Sequence, residues 1–202
     1  GEAAQALGLP AGIPVLITGA DGCMHQVAAG AFSDYIMTLS VGTSAAMRIT
    51  TEKPILAEYP ATWCYVGVEK MWIAGSATAG AGNCVDWIGK KILGFDNRIT
   101  LPQLDQGARE TLKKADAPLF LPFLAGERCP GWDDTRKALF YELRIDHDIY
   151  DLYYAVLEGV LFNLKQCYDI TIPIVGQTPK FISISGGIEK SPFWLSLAAN
   201  IF

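Results

Sequence analysis

Short apolar runs, separated by small or polar residues, fill the first third of the chain and predict β-strands. The runs lie at residues 13–18, 35–41, 45–50, 62–68 and 71–74. Residues 42–44 read Gly-Thr-Ser between two of these runs, a pattern typical of a hairpin turn. An alanine-rich stretch at residues 23–32 predicts a short helix after the first run.

The rest of the chain alternates helical patterns with strands. Between Ile149 and Tyr168, apolar residues recur every three or four positions, which predicts a helix with Asp146 or Asp148 as its N-cap. Ser191 followed by Pro192 is typical of a helix start. The other predicted elements are helices at residues 77–92 and 101–114, strands at residues 118–123, 138–143 and 179–185, and a long loop at residues 124–137. This alternation indicates an α/β fold.

The composition is that of a folded protein without a basic surface. Of the 202 residues, 50% are hydrophobic and 18% are charged, which argues against intrinsic disorder. The net charge of −5 provides no positive field for nucleic acid or an anionic membrane. No apolar run reaches the roughly 18 residues that a membrane-spanning helix needs. We therefore expect neither a nucleic-acid partner nor a membrane.

The cysteines and the chain ends bear on where the protein works and how complete it is. Five cysteines without a C-x-x-C pair favour free thiols in a reducing, cytoplasmic location and argue against a disulfide framework or a zinc site. The sequence has no initiator Met, and its last residues stop within a helical pattern. We expect a piece of a larger protein rather than a complete small domain with frayed ends.

Four small-residue segments adjoin predicted strands or helix starts, at residues 19–22, 42–44, 75–82 and 185–187. Backbone N–H groups in such turns can bind phosphate, and glycine permits close approach because it has no Cβ. Glycine-rich turns more often only reverse the chain, but four together make nucleotide binding as well supported as simple chain reversal. Neither a P-loop nor a dinucleotide fingerprint is present, so a phosphate site would need another architecture.

Asp21 is the strongest single candidate for catalysis. It lies in a glycine-flanked turn after a predicted strand, where a carboxylate could accept a proton from an attacking hydroxyl. The alternative is a turn residue that caps the following helix, and the residue type alone favours this alternative. His25 would share a helix face with Asp21, but no further ligands support a metal pair, so we interpret His25 as a polar or core residue.

In their order along the chain, these motifs resemble the FGGY carbohydrate kinases, which have the actin-like (ribonuclease H-like) ATPase fold, a mixed sheet flanked by helices. The most specific similarity is to the second family signature, at residues 138–143 and 151–158. The sequence departs from the family pattern at Glu142, where Gly is usual, and at Lys137, where an Arg-Gly pair is common. Residues 11–22, 39–44, 81–88 and 185–194 are similar to the family's catalytic-aspartate segment, Gly-Thr phosphate loop, nucleotide-lining helix start and adenosine loop.

The resemblance implies ATP-dependent phosphorylation of a hydroxyl group on a sugar or sugar acid. Asp21 would be the base on that hydroxyl. Gly42 and Thr43 would hold the β- and γ-phosphates, Gly82 and Asp86 would lie near the α-phosphate and ribose, and Gly187 and Ser191 would border adenosine. Mg²⁺ is expected to accompany ATP, held by an aspartate outside this chain, and no metal ligand is assigned within it.

The resemblance also suggests a substrate and a domain boundary. Residues 19–22, 64–72 and 123–130 look most like gluconokinases, so gluconate is the expected substrate and 6-phosphogluconate the product. Two alternatives remain, a xylulokinase-type pentulose kinase and a non-catalytic actin-like nucleotide-binding module. The sequence leaves open whether the protein forms a homodimer and what Glu127 and Arg128 do.

The resemblance also implies a domain boundary. Residues 1–35 would end an N-terminal sugar-binding domain, and residues 36–202 would form an incomplete C-terminal nucleotide-binding domain, inactive alone.

Overall fold

A computed structural model describes residues 1–15, 19–67, 70–92, 99–114 and 116–202. The strands are β1 (Ile36–Val41), β2 (Ala45–Thr51), β3 (Trp63–Val66), β4 (Trp72–Thr78), β5 (Leu119–Leu121), β6 (Leu139–Tyr141) and β7 (Phe181–Gly186). The helices are α1 (Glu2–Ala6), α2 (Asp21–Ala28), α3 (Gly82–Trp87), α4 (Leu101–Lys114), α5 (Ile149–Val175) and α6 (Pro192–Ile201). A π-type turn (Ile88–Ile92) follows α3, and a 3₁₀ turn (Gly187–Lys190) precedes α6.

Five strands form one mixed sheet in the order β3-β4-β2-β1-β7. The β1–β2, β2–β4 and β3–β4 pairs are antiparallel, whereas β7 joins β1 in parallel, with Val41 beside Gly186. Because β1 and β7 run in the same direction, their carboxyl ends meet at one edge of the sheet. Strands β5 and β6 form a separate antiparallel pair.

Successive side chains of β1 point to opposite faces of the sheet, and the two faces have different coverings. Met37, Leu39 and Val41 are fully buried in the main core, which α5 completes with an apolar stripe. Thr38 lies on the opposite face and hydrogen-bonds to Gln26 of α2. The sheet thus has a core face, covered by helices α4 to α6, and a second face over which α2 packs.

Helix α5 is the central support of the core face. Asp148 caps its start by accepting hydrogen bonds from the backbone of Tyr150 and Asp151. Its end is marked by Gly176, whose φ of 80° is readily available only to glycine. Asp148 was one of the two caps predicted from the sequence, and that prediction is confirmed.

Most predicted elements occur close to their expected positions. The turn at residues 42–44 connects an antiparallel pair, and α4 covers the predicted residues 101–114. The helix predicted from residue 77 is wrong at its start, because Ala77 and Thr78 pair with Ala46 and Ala45 as the end of β4. Those ladder hydrogen bonds outweigh the helix propensity of alanine, and the helix begins only at Gly82.

The first predicted strand is not formed in the part that the structure describes. Residues 16–18 lie outside the described residues, as does residue 68 at the end of another predicted strand. Ile13 and Val15 are exposed and belong to no strand, since no described strand pairs with them. The predicted helix at residues 23–32 is present but begins two residues earlier, at Asp21, and ends at Ala28.

Candidate active site

A cavity of about 620 Å³ opens at the edge where β1 and β7 end. Clefts at the carboxyl ends of parallel strands are the usual ligand sites of α/β sheets. All six residues that the sequence suggested for nucleotide binding line this cavity: Gly42, Thr43, Gly82, Asp86, Gly187 and Ser191. Segments separated by more than a hundred residues therefore meet around one space.

Glycines hold these segments in close contact. The Gly82 N–H donates to the Gly42 carbonyl oxygen at 2.9 Å, and the Asn83 N–H donates to the Thr43 carbonyl oxygen at 3.0 Å. A Cβ at Gly82 would lie only 2.5 Å from that Gly42 oxygen. Gly186 has a φ of 100°, and a Cβ there would lie 2.5 Å from the Val41 oxygen. Larger residues would push the three segments apart.

A buried hydrogen-bond network forms the wall behind Ser191. The Ser191 hydroxyl donates to Asp105 Oδ2 at 2.7 Å and accepts from the Trp194 N–H at 3.0 Å, as the N-cap of α6. The Tyr153 hydroxyl donates to Asp105 Oδ1 at 3.0 Å. Burial, followed by the charge of Asp105, raises the pKa of the Tyr153 phenol far above its ordinary value. Asp105 therefore joins α4, α5 and α6 at the cavity.

The rim of the cavity carries charge and its interior is apolar. Asp86 pairs with Lys90 at 3.1 Å one helical turn later, with both side chains largely exposed. Lys90 and Lys190 both line the cavity, and positive side chains at such a rim suit phosphate groups. The apolar lining comes from Val85, Ile99, Leu101, Leu104 and Trp194. A space with this division of polarity can accommodate a flat base and an anionic phosphate chain.

The structure places Asp21 outside the lining of this cavity, at the start of α2 on the second face of the sheet. Its side chain is exposed, and its Oδ1 accepts a hydrogen bond from the Gly22 N–H at 2.6 Å. Gln26 anchors α2 to the sheet by donating to Thr50 Oγ1 at 3.0 Å.

Several residues that the structure brings to these sites are absent from the candidates predicted from the sequence. Asp105 and Tyr153 lie within helical patterns and carried no distinguishing signal. Arg48 had one, because it is a charged residue in a predicted strand of apolar and small side chains. It lies on the second face, where its Nη1 donates to Ser40 Oγ at 2.9 Å.

Glu127 and Arg128, whose roles the sequence left open, make contacts within their own loop. Glu127 is buried, and its Oε2 lies 2.8 Å from Arg136 Nη1. Burial raises the pKa of the Glu127 carboxyl, and the Arg136 charge partly offsets that effect. The Arg128 guanidinium lies over the Trp132 ring, 5.9 Å from its centroid. Neither residue lines the cavity, so these contacts hold the shape of the loop.

Other chemistries find little support in the described ranges. There, no group of three or more His, Cys, Asp or Glu side chains lies close enough together to hold a metal ion. The five cysteines are unpaired, and burial raises the pKa of the Cys84 and Cys167 thiols to about 12, which disfavours the reactive thiolate. Among the helices in the described part of the chain, none has the length and apolar character that crossing a bilayer requires.

A mixed sheet flanked by helices, with a glycine-lined cavity at the ends of its parallel strands, is the architecture of the actin-like ATPase fold. A model of the FGGY family of carbohydrate kinases, C-terminal domain, matches residues 37–202. The chain belongs to this family.

Three relatives illustrate the similarity. The gluconokinase of Bacillus subtilis is 28% identical over 100% of this chain, and the xylulose kinase of Escherichia coli is 31% identical over 99% of it. The crystal structure of gluconate kinase from Lactobacillus acidophilus, 28% identical, covers 100% of this chain with a TM-score of 0.87. In each case the chain spans about 40% of the relative's length.

Proposed function

We propose that the protein containing this chain phosphorylates a hydroxyl group of a sugar or sugar acid with ATP, and that gluconate is its substrate. The observation that carries the proposal is the meeting of Gly42, Thr43, Gly82 and Gly187 around one cavity in a member of a carbohydrate kinase family. We assign that cavity to the nucleotide. The chain spans about 40% of the length of these relatives, and the activity is therefore proposed for the whole protein rather than for these residues alone.

The cavity fits ATP by the chemistry of its lining. Gly42 and Gly187 line the cavity without a side chain, so a phosphate chain can lie close to the backbone there. Asp86, on the rim, is suited to the ribose hydroxyls, and Ser191 with Leu104 and Trp194 to the base. Mg²⁺ would enter with ATP and neutralise phosphate charge, and we assign its protein ligand to a part of the protein outside this chain.

Asp21 is the proposed base. The acceptor hydroxyl oxygen forms a bond to the γ-phosphorus as the bond from that phosphorus to ADP breaks, and the hydroxyl proton passes to the Asp21 carboxylate. Phosphoryl transfer depends chiefly on positioning, and Asp21 is held by α2, which Gln26 fixes to the sheet. We assign residues 1–35 to the end of a sugar-binding domain and residues 36–202 to the nucleotide-binding domain, so this chain alone should lack kinase activity.

A pentulose kinase is the second candidate, because the similarity to xylulose kinases extends over the same residues at comparable identity. The test is a screen of the full-length protein against gluconate, xylulose, ribulose and glycerol, with ADP release as the readout. Preference for gluconate supports the first assignment, and preference for xylulose supports the second. Binding of ATP without turnover of any acceptor would leave a non-catalytic nucleotide-binding module instead.

A further inference from the structure

Arg48 is a positive charge in the middle of a central strand. In the register of the sheet it lies between Thr38 of β1 and Gly75 of β4, and it is partly buried. The neighbouring positions of β2 are apolar or small. Charged side chains are rarely placed in such an environment unless they are paired. We therefore searched the described residues for a group that pairs with the Arg48 guanidinium.

The described residues supply no anion to Arg48. Its Nη1 donates to the neutral Ser40 hydroxyl at 2.9 Å. Its Nε is buried and has no hydrogen-bond partner within the described ranges, and no carboxylate there forms an ion pair with it. A partly buried cation without a counterion is costly. A ligand with an anionic group could therefore supply the counterion of Arg48.

Gly22 and Tyr65 place this guanidinium beside the proposed base. A Cβ on Gly22 would lie 2.8 Å from Arg48 Nε and 2.5 Å from the Tyr65 hydroxyl oxygen, so the first turn of α2 lies directly against both side chains. Asp21 is the adjoining residue of that turn, and the charges of Asp21 and Arg48 both act on the Cys23 thiol and the Tyr65 phenol. The proposed base thus shares one small region with a cation that has no ion-pair partner among the described residues.

A second unpartnered donor lies in the same row of the sheet. Gly75 pairs with Arg48 on one side and with Trp63 on the other, and the Trp63 ring lies over Gly75. Trp63 stacks on Tyr65 with the ring centroids 4.6 Å apart. The buried Trp63 Nε1 has no hydrogen-bond partner in the part of the chain that the structure describes. Two donors beside an aromatic wall favour a small acceptor-rich ligand.

The anion that this region would accept differs from the nucleotide phosphates. Leu39 and Val41 of β1 point to the core face, and Val41 lines the nucleotide cavity. Ser40, which accepts the Arg48 hydrogen bond, points to the second face. Arg48, Tyr65 and Trp63 are not among the residues that line that cavity. We therefore assign the anion that would pair with Arg48 to the acceptor substrate, on the second face of the sheet, and not to the nucleotide.

We propose, resting on the kinase function proposed above, that Arg48 binds the carboxylate of a sugar-acid acceptor and thereby selects sugar acids over neutral sugars. A guanidinium presents a fork of N–H donors that matches a carboxylate. One Arg48 nitrogen donates to Ser40 and the guanidinium also hydrogen-bonds to the Tyr65 hydroxyl, both neutral groups, so part of its fork of N–H donors stays available to such a group. The hydroxyl at the other end of the same molecule would face Asp21.

The test measures binding and turnover separately in the full-length protein. Gluconate affinity is measured by calorimetry, and ADP release is measured with gluconate, with xylulose and with sorbitol, which has CH₂OH in place of the carboxylate of gluconate. For Arg48→Met we expect gluconate affinity and kcat/KM to fall on the order of 10- to 100-fold, chiefly through KM. Activity with neutral acceptors should be retained, and Arg48→Lys should recover part of the loss.

Matched controls separate binding from folding. Arg144→Met removes a surface arginine that is paired with Asp116 and should leave gluconate affinity unchanged. Thermal unfolding checks every variant, and Arg48→Lys keeps the charge if the Met variant is unstable. Unchanged gluconate affinity in Arg48→Met overturns the proposal, as does an equal loss of kcat with every acceptor, which would assign Arg48 to the transferred phosphoryl group.

The outcomes also separate this proposal from the proposed function. If the wild type phosphorylates xylulose but does not bind gluconate, the proposed kinase activity is supported and the proposed role of Arg48 is wrong. Arg48-dependent binding of gluconate without any ADP release would support the role of Arg48 and overturn the kinase.

Discussion

The Ser191 hydroxyl donates to Asp105 Oδ2 at 2.7 Å, although 86 residues separate the two in the sequence. Because the same hydroxyl accepts from the Trp194 N–H, it holds the start of α6 against α4. Ser191 and its neighbour Lys190 line the cavity together with Leu104 of α4. The contact therefore fixes the wall that we assign to the base.

Removal of this hydroxyl should affect both stability and nucleotide affinity. Ser191→Ala loses the helix cap and leaves the buried Asp105 with one partner fewer, so we expect the free energy of unfolding to fall by about 2 kcal/mol. ADP affinity should fall in parallel. Urea denaturation and calorimetry measure the two effects, with Ser191→Thr as the control that keeps the hydroxyl. Equal losses in both variants would argue against the hydrogen bond as the cause.

Gly82→Ala should weaken nucleotide binding by forcing two segments apart. The added methyl would lie 2.5 Å from the Gly42 oxygen, so the β1–β2 turn must move away from α3. We expect ADP affinity to fall on the order of tenfold. The measurement is calorimetric titration with ADP.

Gly159→Ala provides the comparison, because its methyl would lie 2.2 Å from the Phe120 oxygen, between α5 and β5. That variant should lose stability first, with any loss of affinity following from unfolding. The interpretation of the cavity would be wrong if the Gly82 variant bound ADP normally while remaining folded.

Glu142→Gly should stabilise the protein. Glu142 has a φ of 60°, in the left-handed region that costs a non-glycine residue roughly 1–2 kcal/mol, and its side chain is exposed. We expect the free energy of unfolding to rise by about 1 kcal/mol, since the flexibility of glycine in the unfolded chain cancels part of the gain. Thermal and urea unfolding test this. A decrease in stability would mean that contacts of the Glu142 side chain outweigh the backbone strain.

The same residue shows what the sequence could and could not predict. Glu142 was recognised as a departure from a glycine position, and the backbone there adopts the conformation that favours glycine. Strong local signals, such as the apolar spacing of α5 or the Ser191-Pro192 start of α6, predicted elements well. The end of β4 was missed because the strand continues through Ala77 by pairing with β2, a contact that no local pattern encodes.

The candidate site was predictable to the extent that it consists of glycine turns. Gly42, Gly82 and Gly187 were identified from their positions beside strands and a helix start, and they line one cavity. Asp105 was not identified, because its importance comes from burial and from distant partners. The charge of Arg48 in a predicted strand was a signal, but the lack of a counterion for it among the described residues was not one. Those properties depend on how the sheet and helices pack, so they become visible only in the folded chain.

Stability should decrease with rising pH because of Glu158. The Tyr154 hydroxyl donates to Glu158 Oε1 at 2.7 Å, and burial raises the pKa of this carboxyl above its ordinary value. The folded protein then holds the proton more tightly than the unfolded chain does. Stability is therefore lost as the pH rises from the ordinary pKa of Glu through the raised one.

Glu158→Gln removes that titration. The variant should be more stable than the wild type at pH 8, and this advantage should shrink towards pH 4, where Glu158 is protonated in both states. Urea denaturation across this range is the measurement, and Glu58→Gln, at an exposed position, is a suitable control. An advantage of the same size at every pH would contradict the assignment to Glu158.

The most direct test of the account is ADP release by the full-length protein with gluconate, compared between the wild type and Asp21→Asn. If Asp21 accepts the proton of the acceptor hydroxyl, the substitution should lower kcat by on the order of 10²- to 10⁴-fold. Calorimetric ADP affinity should stay unchanged, and so should the activity of Asp169→Asn, a surface carboxylate paired with Lys165. Full turnover in Asp21→Asn would contradict the central claim and leave Asp21 as a residue of the first turn of α2.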